Sequence, residues 1–146
     1  GLEYLLGPEA GMIRRAIRGD IAAMLSSLRK HHAAHDFAWP FDRVRLSVVC
    51  AHAIEADDWL ALVGDNALLL ARWFDCEFGS GRHAIERALW SERGQGPALI
   101  AEYEQWARAA GCADAALSSM RRPDAFARLY GRLGYRVAET TFVKTF

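Results

Sequence analysis

The sequence Arg93-Gly94-Gln95-Gly96-Pro97-Ala98 stands between a strand-like run, residues 83–91, and a helix-like run, residues 97–110. A Gly-rich turn of this kind leaves the first N–H groups of the helix without intrahelical partners, and the helix dipole adds positive potential there. Both effects favour phosphate. The glycines let a bulky anion approach the backbone, and Pro97 suits the start of a helix. We therefore predict that residues 93–98, the phosphate loop, bind phosphate. An ordinary turn before a helix is the alternative.

Two common phosphate motifs do not fit this stretch. No Lys-Ser or Lys-Thr follows the second glycine, so the loop is not a Walker P-loop. The dinucleotide fingerprint G-x-G-x-x-G is also absent, because Gly94-Gln95-Gly96 runs on to Leu99.

The composition indicates one soluble globular domain of 146 residues, with 52% hydrophobic and 25% charged residues. A formal net charge of +0 argues against nucleic acid as a partner, and no apolar run reaches membrane-spanning length. The three cysteines are far apart and form no C-x-x-C motif, which is typical of a reducing compartment. We expect a cytoplasmic protein that binds neither nucleic acid nor membrane.

Hydrophobic periodicity and turn residues predict an alternation of strands and helices. The predicted strands are residues 12–17, 59–63, 67–74, 83–91, 113–120 and 135–146. The predicted helices are residues 20–35, 42–55, 97–110 and a last one that Arg121-Arg122-Pro123-Asp124 opens and Gly134 ends.

The segment 42–55 fits two interpretations. Val44, Leu46 and Val48 alternate as in a strand. The length of the segment and a capping Asp42 favour a helix, which is the prediction we adopt.

The phosphate loop has the pattern Arg/Gln-x-x-Gly-x-Gly/Ala and resembles the acyl-CoA pyrophosphate loop of the GNAT acetyltransferase superfamily. A second block, Leu129-Tyr130 followed by Gly134-Tyr135, is similar to another GNAT motif and lies at the usual distance downstream. The resemblance covers about 135 residues and implies an α/β (α+β) fold. That fold has a mixed, mostly antiparallel sheet, a V-shaped splay between strands 4 and 5, and about four flanking helices.

The resemblance also implies a domain organisation. Residues 12–146 are expected to form a single GNAT domain. Residues 1–11 are expected to be an N-terminal extension or a vector-derived remnant, because Met12 looks like a natural start.

Membership of this superfamily implies an enzyme that transfers an acetyl group from acetyl-CoA to an amine by direct attack in a ternary complex. The acceptor is expected to be a small-molecule or peptide amine, no metal is expected, and a homodimer is one expected state. The residues expected to hold CoA lie on strand 4 and in the phosphate loop: Leu89, Trp90, Ser91, Arg93, Gly94, Gln95, Gly96 and Ala98. Gln95, Gly96 and Ala98 would offer backbone N–H groups, whereas Pro97 cannot donate.

Two residues are candidates for proton transfer. Tyr130 matches the family's usual acid for the leaving thiolate, although its spacing also suits a core residue of a helix. Glu86 on strand 4 is the candidate base. It could equally be a solvated residue or the partner of Arg87.

Aromatic residues after the first helix suggest an acceptor pocket. Phe37, Trp39 and Phe41, with His31, could line an aromatic wall that suits a cation or an apolar amine, or could simply pack in the core. His31 and His35 lie one helical turn apart. Histidines near a helix C-terminus suit the helix dipole, so this pair alone does not indicate a metal site.

Two other functions stay open at this point. A GNAT-fold protein that binds CoA without turnover, as a sensor or partner-binding module, would tolerate Pro97. An unrelated α/β nucleotide-binding protein would bind nucleotides that lack the pantetheine arm.

Overall fold

The computed structural model describes residues 12–35, 37–119 and 123–146, with the backbone alone for residues 123–126. The predictions made for residues 1–11 and for Met120, Arg121 and Arg122 lie outside these described residues.

The described chain follows the predicted order of elements up to residue 134. The strands are β1 (Arg14–Arg15), β2 (Trp59–Gly64), β3 (Ala67–Asp75), β4 (Arg82–Ser91) and β5 (Cys112–Ala116). The α-helices are α1 (Ile21–Ala34), α2 (Arg43–Glu55), α3 (Gly96–Ala109) and α4 (Pro123–Arg132), and a 3₁₀ turn (Arg18–Asp20) precedes α1.

The five strands form one sheet in the order β1-β2-β3-β4-β5, antiparallel throughout except for the parallel pair β4–β5. Helices cover both faces. Leu68 and Leu70 of β3 pack with residues of α1 and α2, whereas Leu69 packs with residues of α3. Because both faces are buried, β2 and β3 are apolar at nearly every position and show no alternation of apolar and polar residues.

Helix α2 confirms the helical interpretation of the ambiguous segment. The carboxylate of Asp42 accepts a hydrogen bond from the Arg45 N–H at 3.0 Å. This side-chain cap satisfies one of the N–H groups that a helix start leaves unpaired. The alternating Val44 and Val48 are both exposed, so strand-like alternation here did not reflect burial.

The parallel pairing of β4 with β5 is short. It runs from Arg82 opposite Cys112 to Ile85 opposite Ala116, and β4 then continues for six residues beyond the last pair. The pairing stops where the predicted splay would begin, and we call the region beyond Ile85 and Ala116 the fork. Strand β5 ends at Ala116, which is earlier than the predicted strand 113–120.

A β-bulge lies where β4 leaves its partner. Leu70 pairs with Ala88 and Ala71 pairs with Glu86, so Arg87 is the extra residue of β4. Ala84 packs with α3 and Ala88 packs with α1 and α2, although residues four apart in a regular strand share one face. The bulge therefore reverses the facing of β4 at the fork.

The prediction of a strand over residues 135–146 was wrong. The segment forms no strand, and Val137, Phe142 and Val143 are 78%, 91% and 79% exposed. Its β-branched and aromatic residues have high strand propensity. Propensity of this kind is realised only when a neighbouring strand supplies a ladder and a packing surface, and this segment has neither here.

A survey of the described helices for membrane-spanning length and hydropathy found none that could cross a bilayer.

The hydroxyl of Tyr103 should contribute measurably to stability. Tyr103 is fully buried on α3, and its hydroxyl donates to the Ala116 carbonyl at 2.8 Å, where β5 ends. Tyr103→Phe removes this donor and should lower the free energy of unfolding by about 1 kcal/mol in urea titration. Tyr135→Phe is the matched control, because its hydroxyl donates to the partly exposed carboxylate of Glu104 at 3.2 Å, where water can substitute. Equal losses in the two variants would contradict the prediction.

Candidate active site

The phosphate loop is anchored by the side chain of Gln95. This side chain is 5% exposed, and its Oε1 accepts a hydrogen bond from the Asp65 N–H at 2.9 Å in the β2–β3 turn. The Gln95 N–H donates to Ser91 Oγ at 2.9 Å. Arg93 adds an ion pair to Asp65, with 3.1 Å between Nη1 and Oδ2. The loop is therefore tied to a neighbouring turn of the sheet by contacts within the protein.

Gly64 makes room for this anchor. A Cβ at this position would lie 2.5 Å from Gln95 Oε1 and 2.8 Å from Ile13 Cδ1. Any side chain at residue 64 would displace the carboxamide from its hydrogen bond.

Two backbone N–H groups of the loop can serve an anion. Gly96 and Ala98 lie in the first turn of α3, where N–H groups have no intrahelical partner. Gly94 has a φ of 71°, and a Cβ added at Gly94 or Gly96 would meet nothing within 4 Å, so the space beside the loop is open. These residues fit a pyrophosphate. The expectation for Gln95 needs correction, since its N–H is already bonded to Ser91.

Glu86 lies at the fork. It is the first residue of β4 beyond the last pair with β5, and it is 5% exposed. Ser118, just beyond β5, donates from its backbone N–H to Glu86 Oε1 at 3.3 Å and from its hydroxyl to Oε1 at 3.2 Å and to Oε2 at 3.4 Å. The solvated alternative for Glu86 is excluded by this burial.

Burial dominates the electrostatics of Glu86. It raises the pKa of the carboxyl group to about 7, while the two hydrogen bonds from Ser118 and the charge of Arg87 act in the opposite direction. A carboxyl group with this pKa exchanges a proton readily at neutral pH, as a general base requires.

Tyr130 reaches the same place from α4. Its hydroxyl donates to the Ser118 carbonyl oxygen at 3.2 Å. Burial, with a contribution from the charge of Glu86, raises its pKa to about 12. The phenol therefore keeps its proton at neutral pH and can act as a donor.

Ser118 was not predicted as a site residue. It belongs to neither of the two recognisable blocks, and only the short parallel ladder brings it opposite Glu86. The sequence carries no local signal for this contact, because 32 positions separate the two residues.

The C-terminal half of β4 carries the other predicted CoA contacts. Leu89, Trp90 and Ser91 pair with β3 on one side, while their other side faces the fork, beyond the last residue paired with β5. The indole Nε1 of Trp90 is buried and has no hydrogen-bond partner within the described part of the chain. A buried donor of this kind is available to a ligand or a water molecule.

The predicted acceptor residues come together at the end of α1, in what we call the aromatic cluster. Ring centroids lie 5.7 Å apart for His31 and Phe37 and 4.7 Å apart for Phe37 and Trp39. Phe41 joins through His32 at 5.8 Å and also packs against the core. The neighbouring Lys30 pairs with Glu92 at 3.2 Å, which ties this end of α1 to the end of β4.

Burial governs the protonation of His31 in the aromatic cluster. Burial, followed by the charges of His35 and His32, lowers the pKa of His31 to about 4, so this ring is neutral at pH 7. The described residues contain no group of three or more His, Cys, Asp or Glu arranged to hold a metal ion.

Comparison with known proteins found no matching family model and no matching curated protein. Solved structures do match. A transcriptional regulator from Bacillus halodurans has a TM-score of 0.74 at 21% identity, over 92% of this chain and 99% of that one. A Trypanosoma brucei acetyltransferase has a TM-score of 0.69 at 18% identity, over 92% and 99%.

A third neighbour, the aminoglycoside N-acetyltransferase AAC(6')-Iy in complex with CoA, has a TM-score of 0.72 at 14% identity, over 92% and 93%. Several of the similar structures are described as acetyltransferases or putative acetyltransferases. This chain has the GNAT fold. The likeness at these identities establishes architecture, whereas the chemistry has to be argued from the residues of this chain itself.

The buried Glu86 should make stability fall as pH rises. Its pKa is about 7 in the folded protein and near 4.5 in the unfolded chain, so the native state binds this proton more tightly. The stabilisation is complete below the pKa of Glu86 in the unfolded chain, and it is lost as the pH rises through about 7. Between about pH 5 and about pH 8, the free energy of unfolding of the wild type, measured in urea, should fall by about 2–3 kcal/mol relative to that of Glu86→Gln. Parallel pH profiles for the two proteins would contradict the burial of a titrating carboxyl group.

Gly64→Ala should disturb the loop anchor. The added methyl group would displace the Gln95 carboxamide and leave the Asp65 N–H without its acceptor, at a cost of about 1–3 kcal/mol in the free energy of unfolding. Gly79→Ala is the control, because a Cβ there meets nothing within 4 Å and should change stability by less than about 0.5 kcal/mol. In a double-mutant cycle, Gly64→Ala and Gln95→Ala should be non-additive; additive effects would show that the two residues do not interact.

Proposed function

We propose that this protein is an N-acetyltransferase that moves an acetyl group from acetyl-CoA to an amine acceptor. The observation that carries the proposal is the arrangement at the fork, where a buried carboxyl group and a phenol are joined through one residue, Ser118. The GNAT fold and its acetyltransferase neighbours support acetyl transfer in general.

Acetyl-CoA is the substrate for which the phosphate loop provides binding groups. Gly96 and Ala98 would donate their N–H groups to the pyrophosphate, and the dipole of α3 would add favourable potential. Arg93, which is held near the loop by Asp65, would place a positive charge at its edge. The pantetheine arm would follow β4 past Leu89, Trp90 and Ser91.

Glu86 and Tyr130 would handle the two protons of the reaction. The amine nitrogen attacks the thioester carbonyl carbon, a C–N bond forms and the C–S bond breaks. Glu86 accepts the proton that the amine loses, directly or through water, and Tyr130 donates a proton to the leaving sulfur. The products are an N-acetylated amine and CoA with a free thiol.

The aromatic cluster supports an amine acceptor next to the end of β4. Trp39 is 58% exposed and Phe37 is half-buried, so an aromatic wall faces incoming molecules. Aromatic faces attract cations and also accommodate apolar groups. A small-molecule or peptide amine with an apolar body fits this surface.

A second candidate is a regulator that binds CoA without turnover. Two observations favour it: the structural likeness to the Bacillus halodurans transcriptional regulator, and Pro97, which removes one N–H from the phosphate loop. Such a protein would need the phosphate loop but would not need the proton-carrying pair at the fork.

Thermal unfolding with acetyl-CoA tests the binding site, which both candidates share. At about 100 times its dissociation constant, acetyl-CoA should add about 2.7 kcal/mol and raise the melting temperature by about 8–10 °C, whereas ATP and NAD should not. An equal shift with ATP or NAD would favour a general nucleotide site. The absence of any shift would refute the proposed loop.

Turnover separates the enzyme from the regulator. In an amine panel with acetyl-CoA, wild type should release CoA thiol. Tyr130→Phe should keep the thermal shift and lose about 100-fold or more in turnover, because the donor to sulfur is gone. Tyr135→Phe is the matched control, since its hydroxyl bonds Glu104. Binding without turnover across the panel would favour the regulator.

A further inference from the structure

Ser118 makes more contacts with the candidate site than a loop residue that merely follows a strand would make. Its N–H and hydroxyl both point to the Glu86 carboxylate, and its carbonyl oxygen accepts from Tyr130. Three polar groups of one residue therefore engage the two side chains to which the proposed reaction assigns proton transfer.

The environment of Glu86 explains why its carboxylate needs hydrogen-bond donors from a residue such as Ser118. The carboxylate is 5% exposed, so water cannot satisfy it when it is charged. The charge of Arg87 from β4 acts on its pKa, and the charge of Glu86 in turn acts on Tyr103 from α3 and Tyr130 from α4. Tyr103 already donates its hydroxyl to the Ala116 carbonyl, and Tyr130 donates to Ser118. The hydrogen bonds that lower the pKa of Glu86, and so favour its ionised form, come from Ser118.

We propose that Ser118 is the positioning residue of the site, holding the Glu86 carboxylate with its N–H and hydroxyl while its carbonyl holds the Tyr130 hydroxyl. This inference rests on the proposed function for its chemical purpose. It assigns Ser118 no contact with the reacting atoms.

The geometry gives the two donors of Ser118 different roles. The N–H contacts Oε1 alone at 3.3 Å, whereas the hydroxyl lies between the two oxygens, at 3.2 Å from Oε1 and 3.4 Å from Oε2. The N–H fixes the position of the carboxylate through the backbone. The hydroxyl spans both oxygens, so it also restrains rotation of the group about its terminal torsion, which is otherwise broad.

Ser118→Ala removes the hydroxyl and keeps the backbone donor. Because a hydrogen bond to the ionised form favours that form, the pKa of Glu86 should rise by about half a unit to one unit. The shift can be measured without any substrate, by ¹³C NMR titration of labelled glutamate carboxyl groups, with the Glu86 signal assigned by its loss in Glu86→Gln.

Two control variants separate positioning from a general structural effect. Ser118→Thr keeps the hydroxyl, and residue 118 is exposed, so the extra methyl group has room. It should restore the wild-type titration. Ser26→Ala on the exposed side of α1 should leave the titration unchanged. A wild-type titration in Ser118→Ala, or a threonine variant that titrates like alanine, would overturn the proposal.

The pH profile of turnover, measured with acetyl-CoA and an amine from the panel, tests the link to the reaction. If Glu86 is the base, the acidic limb of kcat/KM in Ser118→Ala should move upward by the same interval as the NMR titration. The rate near pH 7 should then fall about two- to fivefold. If the NMR titration shifts but the acidic limb of kcat/KM does not, the result would support the positioning of Glu86 by Ser118 and would refute Glu86 as the base. Failure of the proposed function and failure of this inference thus give different results.

Discussion

The pairing of β4 with β5 stops after Ile85 and Ala116, and the candidate site depends on that early end. In a parallel sheet, neighbouring strands normally hydrogen-bond to each other along their whole length. A ladder that ends midway therefore leaves a strand edge without a ladder partner inside the protein. Glu86 is the first residue of β4 past the end and Ser118 is the second residue past the end of β5, and here side-chain and backbone donors replace the missing ladder. At the same point, the bulge at Arg87 changes the face of the sheet on which the following β4 side chains lie. The buried carboxyl group of Glu86 therefore lies where β4 no longer pairs with β5.

Much of the fold follows from local sequence signals. The Asp42 cap, the Gly64-Asp65-Asn66 turn and the apolar stripe of α3 specify their elements within a few residues, and the predicted cap is confirmed. Residues 135–146 show the limit of this approach. Their composition predicts a strand. A strand forms only when a second segment pairs with it, however, and the composition of one segment says nothing about its partner.

The site divides in the same way. The phosphate loop and Tyr130 belong to contiguous motifs, so a resemblance could single them out from the amino-acid sequence alone. The facing of Glu86 depends on a one-residue register, and the bulge at Arg87 alters that register without a clear sequence signal. Gln95 shows a third case. It was predicted as an N–H donor to the ligand, but Ser91 takes its N–H, and its side chain anchors the loop over Gly64.

The arrangement at the fork couples Glu86 and Tyr130, the two groups of the proposed proton transfers, through charge. Burial raises the pKa of Glu86, and the negative charge of ionised Glu86 in turn contributes to the raised pKa of Tyr130. When Glu86 accepts a proton its charge disappears, and that contribution to the pKa of Tyr130 disappears with it. In the proposed reaction, Tyr130 would therefore become a stronger acid at the stage when the leaving sulfur needs a proton. Because Ser118 contacts both groups, the proposed reaction would have the order of its two proton transfers set at one short segment beyond β5.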